Sequence, residues 1–451
     1  MKQSLPFRMP LFEIPAFPDR IFDVRDFGAR DDGTTTNTEA FGRAVEACYD
    51  ARGGIVRIPA GAWLTGPIHL RSDVNLCLEQ GALVRFRTQP ADYLPPVFTR
   101  WEGVECYNYS PLIYARDCEN IAITGEGVLD GRGQSWWRWK KLQQAAAKAL
   151  YDAQFEGIPV EQRVYGTEQA ALRPQFLQTI HCRSVLVKGV TFLNGPMWTI
   201  HPVYCENVLV LGVTVRSEGP NTDGLNPDSC RNVLVEGCSF HTGDDCIAIN
   251  SGMNEDGWRV GRPCENVVIR NCSMSEGHGA VAIGSGMSGG VRNVYVSDCR
   301  VTGGDQGIRL KAMRGRGGQV ENIYFERIQM AGLRCEAIVM DMFYGSSTAA
   351  PRSDAPPAFR NIQIKNVTCE DAGVAVAIRG LPEQPIERVV LENLRLNAVE
   401  GIRCQDVDGL TLRDVSGVVQ QEPLFSCSNI RGLNVSNMTM ERGGPQWNLP
   451  R

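Results

Sequence analysis

A short pattern that keeps returning constrains this chain more than any other feature. Two alternating apolar runs, parted by a two-residue polar break, recur as CENIAITGEGVLD from Cys118, CRSVLVKGVTFLN from Cys182, CENVLVLGVTVRS from Cys205, CRNVLVEGCSFHT from Cys230, CENVVIRNCSMSE from Cys264, VRNVYVSDCRVTG from Val291 and VENIYFERIQMAG from Val320. Weaker copies begin at Phe359, Ile386, Val407 and Ile430. From Cys182 onward the starts are 23, 25, 34, 27, 29, 39, 27, 21 and 23 residues apart. That is the period of a supersecondary unit too small to bury its own apolar face, so the units must stack. Period-two alternation rich in β-branched residues predicts strand, bend and strand in each copy. The expected fold is therefore all-β, a right-handed parallel β-helix, or solenoid. A third strand per coil aligns as CIAINSG (246–252), AVAIGSG (280–286), GIRLKA (307–312), AIVMDM (337–342) and VAVAIRG (374–380).

The repeats also settle the domain count, which a length of 451 residues alone would put near three. We expect an N-terminal extension over 1–20 and a single catalytic domain over 21–451. Asn37 begins an amphipathic helix carrying Ala40, Phe41, Ala44, Val45 and Cys48 on one side, suited to capping the open end of the stack. Residues 131–180 break the pattern with Trp136, Trp137 and Trp139 and then the helix-prone KKLQQAAAKALYDAQ. They read as an insertion lying over the groove. The three tryptophans suit either stacking on sugar rings or holding the insertion to the coils. Asn120, Asn207, Asn232, Asn266, Asn293, Asn322 and Asn361 stand at equivalent bends, suited to an internal amide ladder or to left-handed turns.

Forty-six basic against fifty-one acidic residues give a net charge of −5, and 43% of the chain is apolar. Such a chain can bury a large core and lacks the charge to coat a nucleic acid, so no nucleic-acid partner is expected. No apolar run is long enough for a membrane helix. Prolines at 6, 10, 15 and 18 interrupt any signal-type apolar stretch, giving a cytoplasmic expectation, or a periplasmic or secreted one if a leader has been removed. Sixteen cysteines sit at repeat positions rather than in close pairs, and read as buried, reduced, small apolar residues.

Because successive coils lie about 4.8 Å apart, equivalent positions make a straight row. Aligning Ile247/Ile249 with Val281/Ile283 and Ile308/Leu310 puts Asp244 and His278 in one register, with Asp223 close to Asp245. Lys311 falls on the register of Asn250 and Gly284. Three carboxylates, an imidazole and the cations Arg309 and Lys311 thus gather over about 15 Å, roughly four coils, the size of an oligosaccharide groove. Asp244 and Asp245 can share a face only if the chain at Gly243 departs from regular strand. Crowded acids should split their ionisation, one keeping its proton while others activate water, as glycosidic cleavage requires. Arg309 and Lys311, two positions apart on one strand face, suit a carboxylated sugar, so an acidic oligosaccharide is the expected partner.

At these residues the sequence resembles glycoside hydrolase family 28, the polygalacturonases. NTD at 221–223, GDD at 243–245, GHG at 277–279 and R-hydrophobic-K at 309–311 stand in the family's order, and FDVRDFGARDDG (22–33), GGIVRIPAGAWLTGPIHL (53–70) and YNYSPLIYARDCENIAITGEGVLDG (107–131) are similar to its N-terminal coils. The likeness is greatest to bacterial exo-acting members. The resemblance implies inverting hydrolysis of α-1,4-galacturonosyl linkages without metal or other cofactor. It implies Asp244 as general acid, Asp223 and Asp245 as the residues that position and deprotonate water, and His278 as support for the acid. Arg309, Lys311, Tyr344 and Asn221 would bind substrate. Where related sequences carry basic residues, this one has Asn250, Met253 and Trp258, which removes up to three positive charges and leaves the second subsite's sugar open. The histidines show no HExxH spacing and no CxxC pair exists, so no metal site is expected. A rhamnogalacturonan-type glycosidase, a calcium-dependent polysaccharide lyase of the same fold and a non-catalytic sugar-binding solenoid are the alternatives.

Overall fold

The computed structural model describes residues 5–345 and 354–443. Two compact units divide the chain, one of Leu11–Asp244 and one of Met1–Pro10 with Asp245–Arg451. Each is a stack of parallel coils, the β-helix class that the repeats predict.

In the first unit the strands Ile21–Asp23, Gly54–Ile58, Val74–Leu78, Glu119–Gly125, Arg183–Lys188, Glu206–Leu211 and Arg231–Glu236 stack in that order, every pair parallel. The repeat explains why: position-matched apolar residues form continuous columns. Leu76, Ile123, Val187, Val210 and Val235 are direct neighbours from coil to coil and are all buried. Burying one such side chain contributes about 1.5–3 kcal/mol, and a slip of one residue would turn the column outward. The second unit repeats the logic with Ile269, Val296, Phe325, Ile364, Leu391 and Leu412. Its third-strand row, Ile247–Ile249, Gly279–Ile283, Gln306–Lys311, Glu336–Asp341 and Val374–Arg379, pairs in the register read from the sequence, Ile247 on Val281 on Ile308.

The helix Thr38–Asp50 buries the five expected residues, Ala40, Phe41, Ala44, Val45 and Cys48. Asn37 does not cap it with its side chain. Its amide instead accepts from the Arg30 N–H and donates to the Arg30, Thr35 and Leu64 carbonyls, pinning the preceding loop. The insertion is helical at Gln134–Trp137, Trp139–Leu142 and Gln144–Ala153. It is shorter than 131–180, because Leu177–Ile180 is already a coil strand paired with Ile113–Arg116 and Ile200–Val203. Between the tryptophan uses, packing holds for two: Trp136 and Trp139 are buried edge-to-face on each other, against Tyr93 and Tyr109. The N-terminal extension is more than a tail, since the Ala16 and Glu13 carbonyls accept from the Asn120 and Asn207 amides.

Both uses foreseen for the bend asparagines occur together. Asn266, Asn293, Asn322 and Asn361 all have φ between 57° and 60°. Their amides also run as a chain, Asn293 to Asn266, Asn322 to Asn293 and Asn361 to Asn322, at 2.7–3.1 Å. The ladder is half-buried rather than internal. All sixteen cysteines are thiols outside any disulfide, and only Cys77, Cys335 and Cys427 are not buried. Among the described residues no helix is long and apolar enough to cross a membrane.

Asn322 joins two rungs while holding a left-handed backbone, so Asn322→Gly should lose only the hydrogen bonds and Asn322→Ala should add the left-handed strain. Denaturant unfolding should show the alanine variant about 1 kcal/mol less stable than the glycine one.

Candidate active site

The first unit brings Asn221, Asp223 and Asp244 together. Asn221–Asp223 form a loop after the strand Thr214–Ser217, held by the Thr222 hydroxyl on the Ser217 and Gly219 carbonyls at 2.7 and 2.6 Å. Asp223 is buried, and its Oδ2 accepts from the Asn226 amide at 2.9 Å. Asp244 is half-buried, with a carboxylate oxygen within 4.8 Å of one from Asp223 and the Asn221 Nδ2 at 3.4 Å from its Oδ2. Gly243 permits this turn, because a Cβ there would run into the Gly219 carbonyl oxygen. The GDD segment precedes the strand Ile247–Ile249 and is irregular, so the alternation that would separate neighbouring aspartates does not apply.

The second unit builds its site around Asp245, the next residue in the chain. Arg309 Nη1 lies 2.9 Å from Asp245 Oδ1 and Lys311 Nζ 2.7 Å from Oδ2. The two cations do share a strand face, as their spacing predicts, and that face meets a carboxylate of the chain itself. Lys311 is buried, which works against its charge, yet Asp245 holds its ammonium above the usual lysine value. Tyr344 is half-buried with its ring 5.5 Å from the Arg309 guanidinium carbon and 5.1 Å from Lys311 Nζ, a cation–π arrangement that fixes both side chains. Gly279 of the GHG signature leaves room for Asp245, whose Oδ1 would lie 2.8 Å from a Cβ there. His278 is exposed, at the bend before Gly279–Ile283. Of the three positions that lack a basic residue, Asn250 is buried and bonds the Ala248 carbonyl, while exposed Trp258 donates to the Arg316 carbonyl at 2.9 Å and Met253 precedes the helix Asn254–Val260.

Two residues that the sequence does not single out stand beside Asp244. Arg173, from the insertion, is fully buried and donates to Asn221 Oδ1 at 2.7 Å, to the Pro220 carbonyl at 2.6 Å and to Gln143 Oε1 at 3.1 Å. Burial brings its guanidinium down to about 10, against the pull of Glu102 and Asp244. Glu102 sits at the tip of the hairpin Val97–Trp101 and Val104–Asn108, where Glu102 and Gly103 both have positive φ, 45° and 85°, as a type I′ turn requires. The residue is half-buried by its surface, but protein encloses the carboxyl, and this burial pushes it above the usual range against Lys140 and Arg173, with Asp244 adding to the rise. A glutamate-glycine turn between alternating strands is a sequence signal for Glu102 alone.

Asp223 and Asp244 lie close enough to share a cation, but the donor set does not suit one. A hard divalent ion wants six to eight oxygens. Here Asn221 presents an N–H to Asp244, Arg173 stands behind that amide, and Arg309 and Lys311 already neutralise Asp245. Hydrolysis of a glycosidic bond, by contrast, asks only for carboxyl groups in unlike environments. A β-helix that buries one aspartate on an amide and leaves the other half open suits a carbohydrate-cleaving enzyme.

Comparison with known proteins agrees. The model for glycosyl hydrolases family 28 matches residues 161–416. A probable polygalacturonase of Vitis vinifera is 32% identical over 387 residues, covering 82% of this chain and 73% of that protein. An exo-poly-alpha-D-galacturonosidase of Dickeya chrysanthemi is 27% identical over 417 residues, covering 84% and 68%. The crystal structure of a hyperthermoactive exopolygalacturonase from Thermotoga maritima superposes with a TM-score of 0.83 at 38% identity, over 95% of this chain and 93% of that one. The chain belongs to glycosyl hydrolases family 28, and it is a glycosidase.

Removing one member of a buried ion pair leaves an uncompensated charge. Lys311→Met should therefore cost about 3 kcal/mol in denaturant unfolding, the low end of the usual range because Arg309 remains. A lysine raised in the folded state stabilises fully below its unfolded value of about 10.4 and loses that contribution as pH climbs through the folded one. The alkaline fall in stability should accordingly be shallower in Lys311→Met than in wild type.

Proposed function

We propose that this enzyme hydrolyses α-1,4-galacturonosyl linkages of oligogalacturonates by inversion, from chain ends. The observation that carries the reading is the pair Asp223 and Asp244, oxygens within 4.8 Å and unequally buried, followed directly in the chain by an aspartate that two cations hold. A water donating about 2.7 Å hydrogen bonds at a tetrahedral angle spans about 4.4 Å between its two acceptors, so one water fits between these carboxylates. Asp244, the more open of the two, is the general acid that protonates the leaving oxygen. Asp223, with Asp245, orients the water and takes its proton. His278, exposed one coil on from the GDD segment in the sequence register, supports the acid.

Arg309, Lys311 and Tyr344 form the cationic and aromatic wall suited to a uronate carboxylate, and Asn221 offers its amide at the acid. Commitment of both cations to Asp245 also explains how they would serve the chemistry before substrate arrives. The chain-end reading rests on the first unit, where the hairpin tip at Glu102 and the insertion residue Arg173 come within electrostatic reach of Asp244. Trp137, bonded to the Gly195 carbonyl at 2.9 Å, stands on the same insertion. The names of the Dickeya and Thermotoga relatives support an exo mode. A cytoplasmic address is proposed on the same ground, since short oligomers enter a cell and polymer does not.

Asp244→Asn should lower turnover of oligogalacturonates about 10²–10⁴-fold with unchanged circular dichroism, because an amide cannot donate the proton and is nearly isosteric. Retention of a tenth of the wild-type rate would remove Asp244 from the acid role. On polygalacturonate, chromatography should show monomer accumulating alone from the first minutes, with chelator present and without ultraviolet-absorbing product. A rapid fall in viscosity with a ladder of oligomers would contradict the chain-end mode, and loss of activity with chelator would favour the lyase.

A further inference from the structure

The insertion reaches the acid through a hydrogen-bonded relay. Arg173 Nη2 lies 2.7 Å from Asn221 Oδ1, and Asn221 Nδ2 lies 3.4 Å from Asp244 Oδ2. An amide's oxygen and nitrogen are ordinarily interchangeable in such an arrangement, and a neighbour must decide between them. Arginine decides it here, because a guanidinium has five donors and no acceptor. The Asn221 oxygen must face Arg173, and the NH₂ must face Asp244.

Arg173 cannot drift from this position. It is fully buried, and it also donates to the Pro196 and Pro220 carbonyls and to Gln143. The Trp101 indole N–H holds its carbonyl at 3.1 Å, tying it to the base of the hairpin that carries Glu102. Asn221 itself is in the left-handed region at φ 56°, which an asparagine tolerates, so the loop presents its amide at a fixed angle.

We propose that Arg173 is a positioning residue for the general acid: by fixing the Asn221 amide with its NH₂ on Asp244 Oδ2, it keeps the amide oxygen from accepting the proton that Asp244 must deliver. Were the amide to turn over, its oxygen would accept the Asp244 proton and hold it away from the leaving group. The proposal rests on Asp244 acting as the acid. The charged groups around that carboxyl include Asp223, Glu102 and Arg173, with Lys140 facing Glu102 and Asp245 adjoining in the chain.

The sign of the pH effect follows from this arrangement. A cation and an N–H donor both favour the ionised carboxylate, so removing them lets Asp244 keep its proton to higher pH. The alkaline limb of kcat/KM, which reports loss of the acid's proton, should move upward even as kcat falls.

The test compares wild type, Arg173→Lys, Arg173→Met, Asn221→Ala and the double variant Arg173→Met/Asn221→Ala on trigalacturonate across pH. Arg173→Met and Asn221→Ala should each lower kcat about 10- to 100-fold, with KM within about threefold and the alkaline limb shifted up. Arg173→Lys keeps the charge and should shift the limb less. The double variant should be no slower than Asn221→Ala alone, since the arginine acts through the amide. Should Arg173→Met fail to fold, Arg173→Lys and Asn221→Ala carry the same readout. An unmoved limb, or multiplicative losses in the double variant, overturns the relay, while a loss of about 10²-fold or more in Asp244→Asn keeps Asp244 as the acid. Wild type inert on every galacturonide overturns the functional reading and the relay with it.

Discussion

In-register parallel stacking is the constraint on which the rest of this protein depends. A coil cannot bury its own apolar face, and it does so only if each neighbour repeats its side-chain sequence at the same positions. The columns from Leu76 to Val235 and from Ile269 to Leu412 are that repetition made physical. The bends must match as well, and asparagine serves there twice, tolerating positive φ and passing one hydrogen bond to the coil above and one to the coil below. The same stacking holds Arg309 beside Asp245, because the strand Gln306–Lys311 has one allowed register against Gly279–Ile283.

The site gains its chemistry from unequal surroundings placed on equal residues. Asp223 is buried on an asparagine amide, Asp244 is half open with an amide on one oxygen, and Asp245 is buried between two cations. Three aspartates in water would behave alike. Here each has different partners, and the proposed division into acid, water-orienting residue and charge-paired residue rests on those partners.

The legible part of this molecule is the periodic part. The strand register, the five buried residues of the Thr38–Asp50 helix, the shared face of Arg309 and Lys311 and the asparagine bends all follow from residues a fixed number of positions apart. Segments that leave the repeat and return through space are not legible in that way. Arg173 and Glu102 stand in an insertion and a hairpin tip, far from Asp244 in sequence, and only the fold of those excursions brings them to it. The pairing of Arg309 and Lys311 with Asp245 was likewise hidden, since a carboxylate of the chain and a carboxylate of a substrate make the same demand on a strand's charge pattern. Asn37 shows the converse error, where a good helix-cap residue is drawn instead into a loop by three carbonyls.

The central claim is that Asp223 orients a water and does not itself attack the sugar. Carboxyl groups about 5–5.5 Å apart are the usual mark of a retaining glycosidase, so the short separation here makes the stereochemistry decisive. Proton NMR of the first product released from an oligogalacturonate, recorded before mutarotation, measures it directly. Attack by water across from an α-linkage gives β-galacturonate first, with the α anomer appearing only as the solution equilibrates. Release of the α anomer first would mean a covalent intermediate on an aspartate, and would contradict the account.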